Sequence, residues 1–266
     1  MTEKLFSMEG KTVVFTGGCG NLGRVMVRSL LEYGANVAVP SLTDRFDATW
    51  DAWRQSGKLL FIRADLRDAE AIRSAFAEAE RRFGRLDVLV NCAAYGGGAG
   101  GKSCEYRLDR IPDETWAEGV DGTLNVVFRC TREILPCFER GGGGVIVNIS
   151  SMYGMVAPDF DIYGDGIPWN PPTYGAGKAG VLQFTRYCAS ALARKNIRVN
   201  SLTPGPFPNI TPSSDMDFIA RLSAKTMLGR TGRPEELCGA LLLLCSDASS
   251  YMTGCNIVVD GGMTQW

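Results

Sequence analysis

The sequence contains no histidine. That absence removes the commonest side-chain base near neutral pH and the commonest metal ligand together. A Ser-His-Asp hydrolase and any histidine-bearing zinc site are excluded, and no metal site is expected. Acid and base work must fall to Tyr, Lys, Asp, Glu or Cys. Nine cysteines are present, an odd number with no CxxC pair, which argues against a disulfide framework and fits a reducing cytoplasm. Charge of one sign is also lacking. A net charge of -1 gives no electrostatic reason to expect nucleic acid or an anionic membrane as partner. Long apolar runs are missing too. Ala240–Cys245 is far too short to span a bilayer, and Met1–Lys11 lacks the apolar core of a secretory signal.

What is present is a chain of 266 residues, 45% hydrophobic and 21% charged, enough to bury a sizeable core. Short apolar segments alternate with longer stretches of helical spacing. Strands are expected at Thr12–Thr16, Asn36–Val39, Leu59–Ile62, Leu86–Val90, Val145–Ser150, Ile197–Leu202 and Asn256–Asp260. Helices are expected at Leu22–Tyr33, Asp44–Ser56, Arg67–Phe83, Asp113–Phe138, Thr173–Arg194 and Glu235–Cys245. Ile72, Phe76 and Ala79 make the third of these amphipathic, and Gly84 stops it. The alternation implies an α/β fold, one doubly wound Rossmann-like parallel sheet of about seven strands with helices on both faces. No linker or repeat interrupts it, so a single domain over 1–266 is expected. Three stretches lack either period: Tyr95–Arg107, Met155–Pro172 and Pro204–Asp215. Long irregular loops in a compact domain tend to carry function, and substrate-covering segments are expected near 95–107, 155–172 and 204–228.

Thr16-Gly17-Gly18-Cys19-Gly20-Asn21-Leu22-Gly23 follows the first strand and opens the first helix. Small residues there let backbone N–H groups and the helix N-terminus approach a pyrophosphate. In dinucleotide sites of this kind an acid at the end of the second strand binds the ribose 2′-hydroxyl of NAD. Here that position is Ser41. A neutral residue tolerates a 2′-phosphate, and Arg45 is close enough in sequence to pair with one, whereas Asp44 could reach back to serve NAD. The balance leans slightly to NADP.

Tyr174-Gly175-Ala176-Gly177-Lys178 opens a helix, and its i, i+4 spacing puts the phenol and the ammonium on one face. A free tyrosine titrates near ~10, and a neighbouring ammonium favours its ionised form. Such a pair can give a proton to an alkoxide or take one from an alcohol. Ser150 and Ser151 end the strand beside it, where ligands of open α/β sheets collect.

Taken together, these motifs resemble the short-chain dehydrogenase/reductase family in its compact one-domain subgroup, over roughly Gly10–Gly262. The glycine loop resembles TGxxxGxG, with Asn21 in place of the middle glycine. Asp65-Leu66 resembles the pair that contacts the adenine, and Asn91-Cys92-Ala93-Ala94 resembles NNAG with two changes. Ser151-Met152-Tyr153-Gly154 matches the serine motif, which makes Ser151 the catalytic serine. Tyr174 and Lys178 match YxxxK, and Lys178 is thereby expected to hold the nicotinamide ribose as well. Pro204-Gly205, followed by Phe207, resembles the turn that contacts the nicotinamide, and Val259-Asp260-Gly261-Gly262 the closing strand and turn. The resemblance thus implies cofactor contacts from Thr16, Gly17, Asn21, Leu22, Gly23, Ser41, Asp65, Leu66, Asn91, Ala93, Tyr174, Lys178, Pro204, Gly205 and Phe207.

Two departures stand out. Thr123 occupies the place of the family's asparagine, read back from Phe128, so a fourth catalytic group rests on a threonine. The stretch between Ser151 and Tyr174 is longer than the family commonly has, and Met155–Pro172 is an insertion beside the substrate. It carries Asp159, Asp161, Tyr163, Asp165, Trp169 and Asn170, a set suited to hydroxyl groups and C–H faces. The run resembles gluconate 5-dehydrogenase-like oxidoreductases of sugars and sugar acids. The resemblance also implies a homo-oligomer, dimer or tetramer, through the two long helices and the last strand. The expected reaction is NAD(P)-dependent interconversion of a secondary alcohol and a ketone on a small molecule. The alternatives are a non-catalytic NAD(P)-binding sensor and an epimerase or dehydratase that oxidises transiently. Cys92, Cys130, Cys188, Cys245, Trp50 and Trp53 read as packing residues.

Overall fold

A computed structural model describes residues 5–95, 108–164 and 169–266. Strands β1 (Thr12–Thr16), β2 (Asn36–Ser41), β3 (Leu59–Arg63), β4 (Val88–Asn91), β5 (Gly144–Ile149), β6 (Ile197–Pro204) and β7 (Asn256–Val259) form one sheet in the order β3-β2-β1-β4-β5-β6-β7. Every pairing is parallel, with Val13 beside Val37 and Val88, and Asn91 beside Asn148. Strand alternation divides the core. Val13 and Phe15 point to one face, against Met26 and Leu30 of α1 (Asn21–Glu32) and Leu241 and Leu244 of α8 (Cys238–Cys245). Val14 points to the other. There it joins the cluster of Phe76 from α3 (Ala69–Phe83), Ile134 from α5 (Val126–Gly141) and Val181 from α6 (Pro172–Leu192). Both faces are covered, which is why the strands read as continuous apolar runs.

The order of strands reverses direction between β1 and β4. At such a switch point the loops leaving the two strands diverge and open a crevice at their carboxyl ends. All the sequence motifs fall at that edge of the sheet. Among the described residues no helix is long and apolar enough to cross a membrane.

Four expectations need correction. Asp44–Ser56 is not one helix: a 3-10 turn at Ala48–Trp50 leads into the short α2 (Asp51–Gln55). The Asp44 carboxylate accepts from Phe46 N–H, and that of Asp47 from Thr49 N–H. These local bonds offer the backbone an alternative to the helix. Trp50 still packs as expected, buried against Phe46 and Trp53 with ring centroids 4.6 and 5.6 Å away. The helix expected over Asp113–Phe138 is broken into α4 (Asp113–Val120), a π turn at Asp121–Asn125, and α5. Glu235–Cys245 begins as a 3-10 turn at Pro234–Leu237 before α8. Finally, α7 (Met216–Ala224), with Asp215 capping its first N–H groups, has no counterpart in the sequence reading.

Candidate active site

Gly17 sits at φ +73°, and a Cβ there would lie 2.7 Å from the Ala93 backbone nitrogen. At Gly23 a Cβ would lie 2.2 Å from the Gly17 carbonyl oxygen. Only glycine lets the turn close this tightly over the start of α1. Thr16 locks the turn to the loop after β4: its hydroxyl donates to the Val90 carbonyl and accepts from Cys92 and Ala93 N–H. The result is a cleft of about 910 Å³. Of the residues expected to bind cofactor, Gly17, Asn21, Leu22, Gly23, Ser41, Asp65, Leu66, Ala93 and Phe207 line it. Thr16 and Asn91 stand behind the wall. Asn91 is buried, and its amide donates to Asn148 and Thr131. Gly205 packs against the Asp260 backbone, where a Cβ would lie 2.4 Å from the Asp260 Cα.

Charge around the cleft is uneven. Ser41 ends β2 and contributes no carboxylate, and Arg45 lines the cleft without an ion pair to any described residue. Asp44 is paired with Arg54 at 2.6 Å. Asp65 is engaged by Arg67, whose guanidinium and backbone N–H hold its carboxyl below the usual carboxylate range. Arg67 also lines the cleft, a contact no local sequence signal indicated.

At the carboxyl end of β5, next to β4, two turns meet. Ser151 caps the 3-10 turn Met152–Gly154, its hydroxyl accepting from Tyr153 N–H. A Cβ on Gly154 would lie 2.7 Å from the Lys178 carbonyl carbon, and one on Gly175 2.9 Å from the Tyr153 carbonyl oxygen. These two glycines let the serine turn lie directly on the first turns of α6. Ser150 is spent structurally, donating to the Lys178 carbonyl at 2.9 Å. Lys178 is buried. Its ammonium donates to the Ile149 carbonyl at 2.8 Å and lies 5.8 Å from the centre of the Tyr174 ring. One acceptor for three donors leaves N–H capacity at this buried cation. Burial pushes the Cys92 thiol up to about 11, against the pull of the Lys178 ammonium.

Thr123 packs closely against α6. It is buried in the π turn, its hydroxyl donating to the Gly119 carbonyl at 2.7 Å, and a Cβ on Gly177 would lie 1.9 Å from the Thr123 hydroxyl oxygen. Thr123→Ala is expected to cost about 0.5–1.5 kcal/mol of stability. Turnover should stay within about threefold of wild type, checked by a melting curve and a kcat measurement on one preparation.

The insertion packs against α7. Asp159 pairs with Lys225 at 2.5 Å, Arg221 donates to the Ile162 carbonyl at 2.8 Å, and Tyr163 stacks on Phe218 at 5.7 Å. Asp159 is thus engaged rather than free to face a ligand. Trp169 stacks on Phe160 at 4.6 Å. Asp161 is exposed, whereas Asp165 and residues 96–107 of the expected 95–107 segment lie outside the described residues. Tyr153 and Tyr163 bring their hydroxyls within 3.3 Å of each other, and burial pushes both phenols up. Asn170 Oδ1 is buried without a hydrogen-bond partner.

Comparison with known proteins closes the question of family. An enoyl-(acyl carrier protein) reductase family model matches residues 19–264. The chain belongs to the short-chain dehydrogenase/reductase family, and it is an oxidoreductase. It is 33% identical to cis-4-hydroxycyclohexanecarboxylate dehydrogenase of Sinomonas cyclohexanicum, over 96% of each chain. Among solved structures it is similar to a gluconate 5-dehydrogenase from Burkholderia cenocepacia in complex with NADP and tartrate (TM-score 0.85, 28% identity, 100% of each chain). It is also similar to a short-chain dehydrogenase from Leptospira borgpetersenii with bound NAD+ (TM-score 0.83, 32% identity, 97% of this chain and 94% of the other).

Proposed function

We propose that this oxidoreductase is NAD(P)-dependent and interconverts a secondary alcohol and a ketone on a sugar, sugar acid or polyol. The observation that carries the reading is the buried Lys178 ammonium beneath the Tyr174 ring, with the Ser151 turn packed on the same helix face. The glycine cradle suits a pyrophosphate, since its tight backbone turn leads straight into the N-terminus of α1, whose free N–H groups favour an anion. A bound nicotinamide supplies the hydride acceptor or donor.

The chain's own residues do the rest. Ser151 Oγ hydrogen-bonds the substrate oxygen and fixes its direction. Tyr174 Oη gives that oxygen a proton in reduction and removes it in oxidation. Lys178 provides a fixed positive charge where negative charge develops on the phenolic oxygen, and its remaining N–H groups hold the nicotinamide ribose. Thr123 supports the placement of α6. Pro204, Gly205 and Phe207 border the nicotinamide, and Thr16 and Asn91 hold the loops that the cofactor touches.

The cofactor reading leans to NADP. A neutral Ser41 and an Arg45 with no ion pair among the described residues, both at the cleft edge, suit a 2′-phosphate, and Asp44 is taken by Arg54. Arg45→Glu should raise the KM for NADPH about 10- to 100-fold, because a charge-assisted bond is replaced by repulsion. The KM for NADH should change far less. An equal change in both would remove Arg45 from the site.

For the substrate, Tyr153, Tyr163 and Asn170 offer hydroxyl and amide groups beside the serine turn, which favours a polyhydroxylated ligand. A homo-oligomer fits the exposed Trp116, Phe128 and Tyr187 on α4, α5 and α6, and Tyr251 and Trp266 near the β7 edge. A cytoplasmic setting fits the eight described cysteines, all free. The test is a screen of sugars, sugar acids, polyols and cyclic alcohols with each cofactor, following reduced-nicotinamide absorbance. Turnover confined to acyl thioesters would overturn the substrate class.

A further inference from the structure

The π turn does more than interrupt a helix. In a regular helix the Val126 N–H would bond to the Gly122 carbonyl; here it bonds to Asp121 instead. The released Gly122 carbonyl accepts the Tyr95 N–H at 3.2 Å. A Cβ at Gly122 would lie 1.9 Å from the Tyr95 carbonyl oxygen, so the approach needs glycine. The Tyr95 phenol then donates to Asp121 at 2.5 Å. Arg129 closes the network: its two terminal nitrogens donate to the two Asp121 oxygens at 2.8 Å each, and one also reaches the Tyr95 hydroxyl at 2.5 Å. Its Nε donates to the Leu66 carbonyl at 3.2 Å. One guanidinium therefore ties the loop after β3 to the loop after β4, and Asp65, Leu66, Ala94 and Tyr95 line the same end of the cleft.

We propose that Arg129, Asp121 and Tyr95 are positioning residues that set the spacing of the two walls holding the adenosine half of the cofactor. The inference rests on the dinucleotide reading above. The network is built to stay in one protonation state. Hydrogen bonds from Arg129 hold the Asp121 carboxyl well below the usual carboxylate range, and burial, with the bond to Asp121, pushes the Tyr95 phenol up. The phenol thus stays protonated as the donor to the Asp121 carboxylate. Fixed walls spare the binding step the ordering of two loops.

The test compares wild type with Arg129→Met and Tyr95→Phe. Dissociation constants for NADPH, NADH, adenosine 5′-monophosphate and nicotinamide mononucleotide are measured by titration calorimetry, alongside kcat and the melting midpoint. Arg129→Met should weaken the dinucleotides and adenosine monophosphate roughly tenfold. Nicotinamide mononucleotide affinity and kcat should stay within about twofold. Tyr95→Phe should shift the same constants in the same direction by less. Should Arg129→Met fail to fold, the milder variant decides alone. Unchanged adenosine monophosphate affinity, or equal weakening of both half-cofactors, would overturn the inference. Failure of wild type to bind either dinucleotide would instead overturn the cofactor reading itself.

Discussion

Tyr174→Phe should reduce turnover by roughly 100- to 10,000-fold, the contribution general acid–base catalysis usually makes. Cofactor dissociation constants should stay within about twofold. The argument is geometric. Tyr174 is half-buried on the first turns of α6, and the ring stays in place without its hydroxyl because the packing around it does not use that oxygen: no hydrogen bond to it occurs among the described residues. The Lys178 ammonium remains bonded to the Ile149 carbonyl in the variant. What disappears is the proton donor and nothing else. Steady-state kinetics and a cofactor titration on the same preparation check both halves. Equal loss of binding and turnover would mean that the phenol holds the cofactor rather than moving a proton.

Gly17→Val should abolish saturable dinucleotide binding. At φ +73° a side chain costs about 1–2 kcal/mol, and the Cβ would lie 2.7–2.8 Å from Cys92 and Ala93 backbone atoms. Backbone on both sides cannot yield as a flexible side chain would, so overpacking adds about 1–3 kcal/mol. The cheapest relief is to move the loop after β4 away from the loop after β1. That movement breaks the bonds that Cys92 and Ala93 N–H donate to the Thr16 hydroxyl and opens the cleft proposed to hold the pyrophosphate. A lower melting midpoint together with lost binding is the expected result. Retained binding with a lowered midpoint would separate the glycine's structural role from the cradle.

The two ends of the site differ in how far they can be read from residue order alone. The cradle and the Tyr174–Lys178 pair are local: each depends on neighbours within eight positions, on a known period, or on a strand just before it. The strands read well for the same reason, since residues such as Val13, Val14 and Phe15 are buried on both faces and need no knowledge of their partners. Asp47, by contrast, had to choose between continuing a helix and capping a turn. Its pairing with Arg24 at 2.8 Å is decided by the fold, not by its neighbours. The π turn is invisible for a related reason. Its signal is a carbonyl captured by Tyr95, and Arg129 must reach both Leu66 and Tyr95 to complete it. The short α7 leaves little trace in residue order because it is stabilised by the insertion, through Tyr163 on Phe218 and Arg221 on Ile162. The insertion's carboxylates illustrate the same limit: residue type suggested ligand contact, but Asp159 is committed to Lys225.

Hydride transfer at a carbinol carbon beside Tyr174 is the central claim, and isotope labelling reads it most directly. Reduced cofactor deuterated at the transferable position would be incubated with wild-type protein and a ketone substrate found in the screen. One deuterium per turnover should appear on the new carbinol carbon, matched by loss of reduced-nicotinamide absorbance, and Tyr174→Phe should suppress both together. Product formed without deuterium at that carbon, or cofactor consumed without alcohol appearing, would contradict the account.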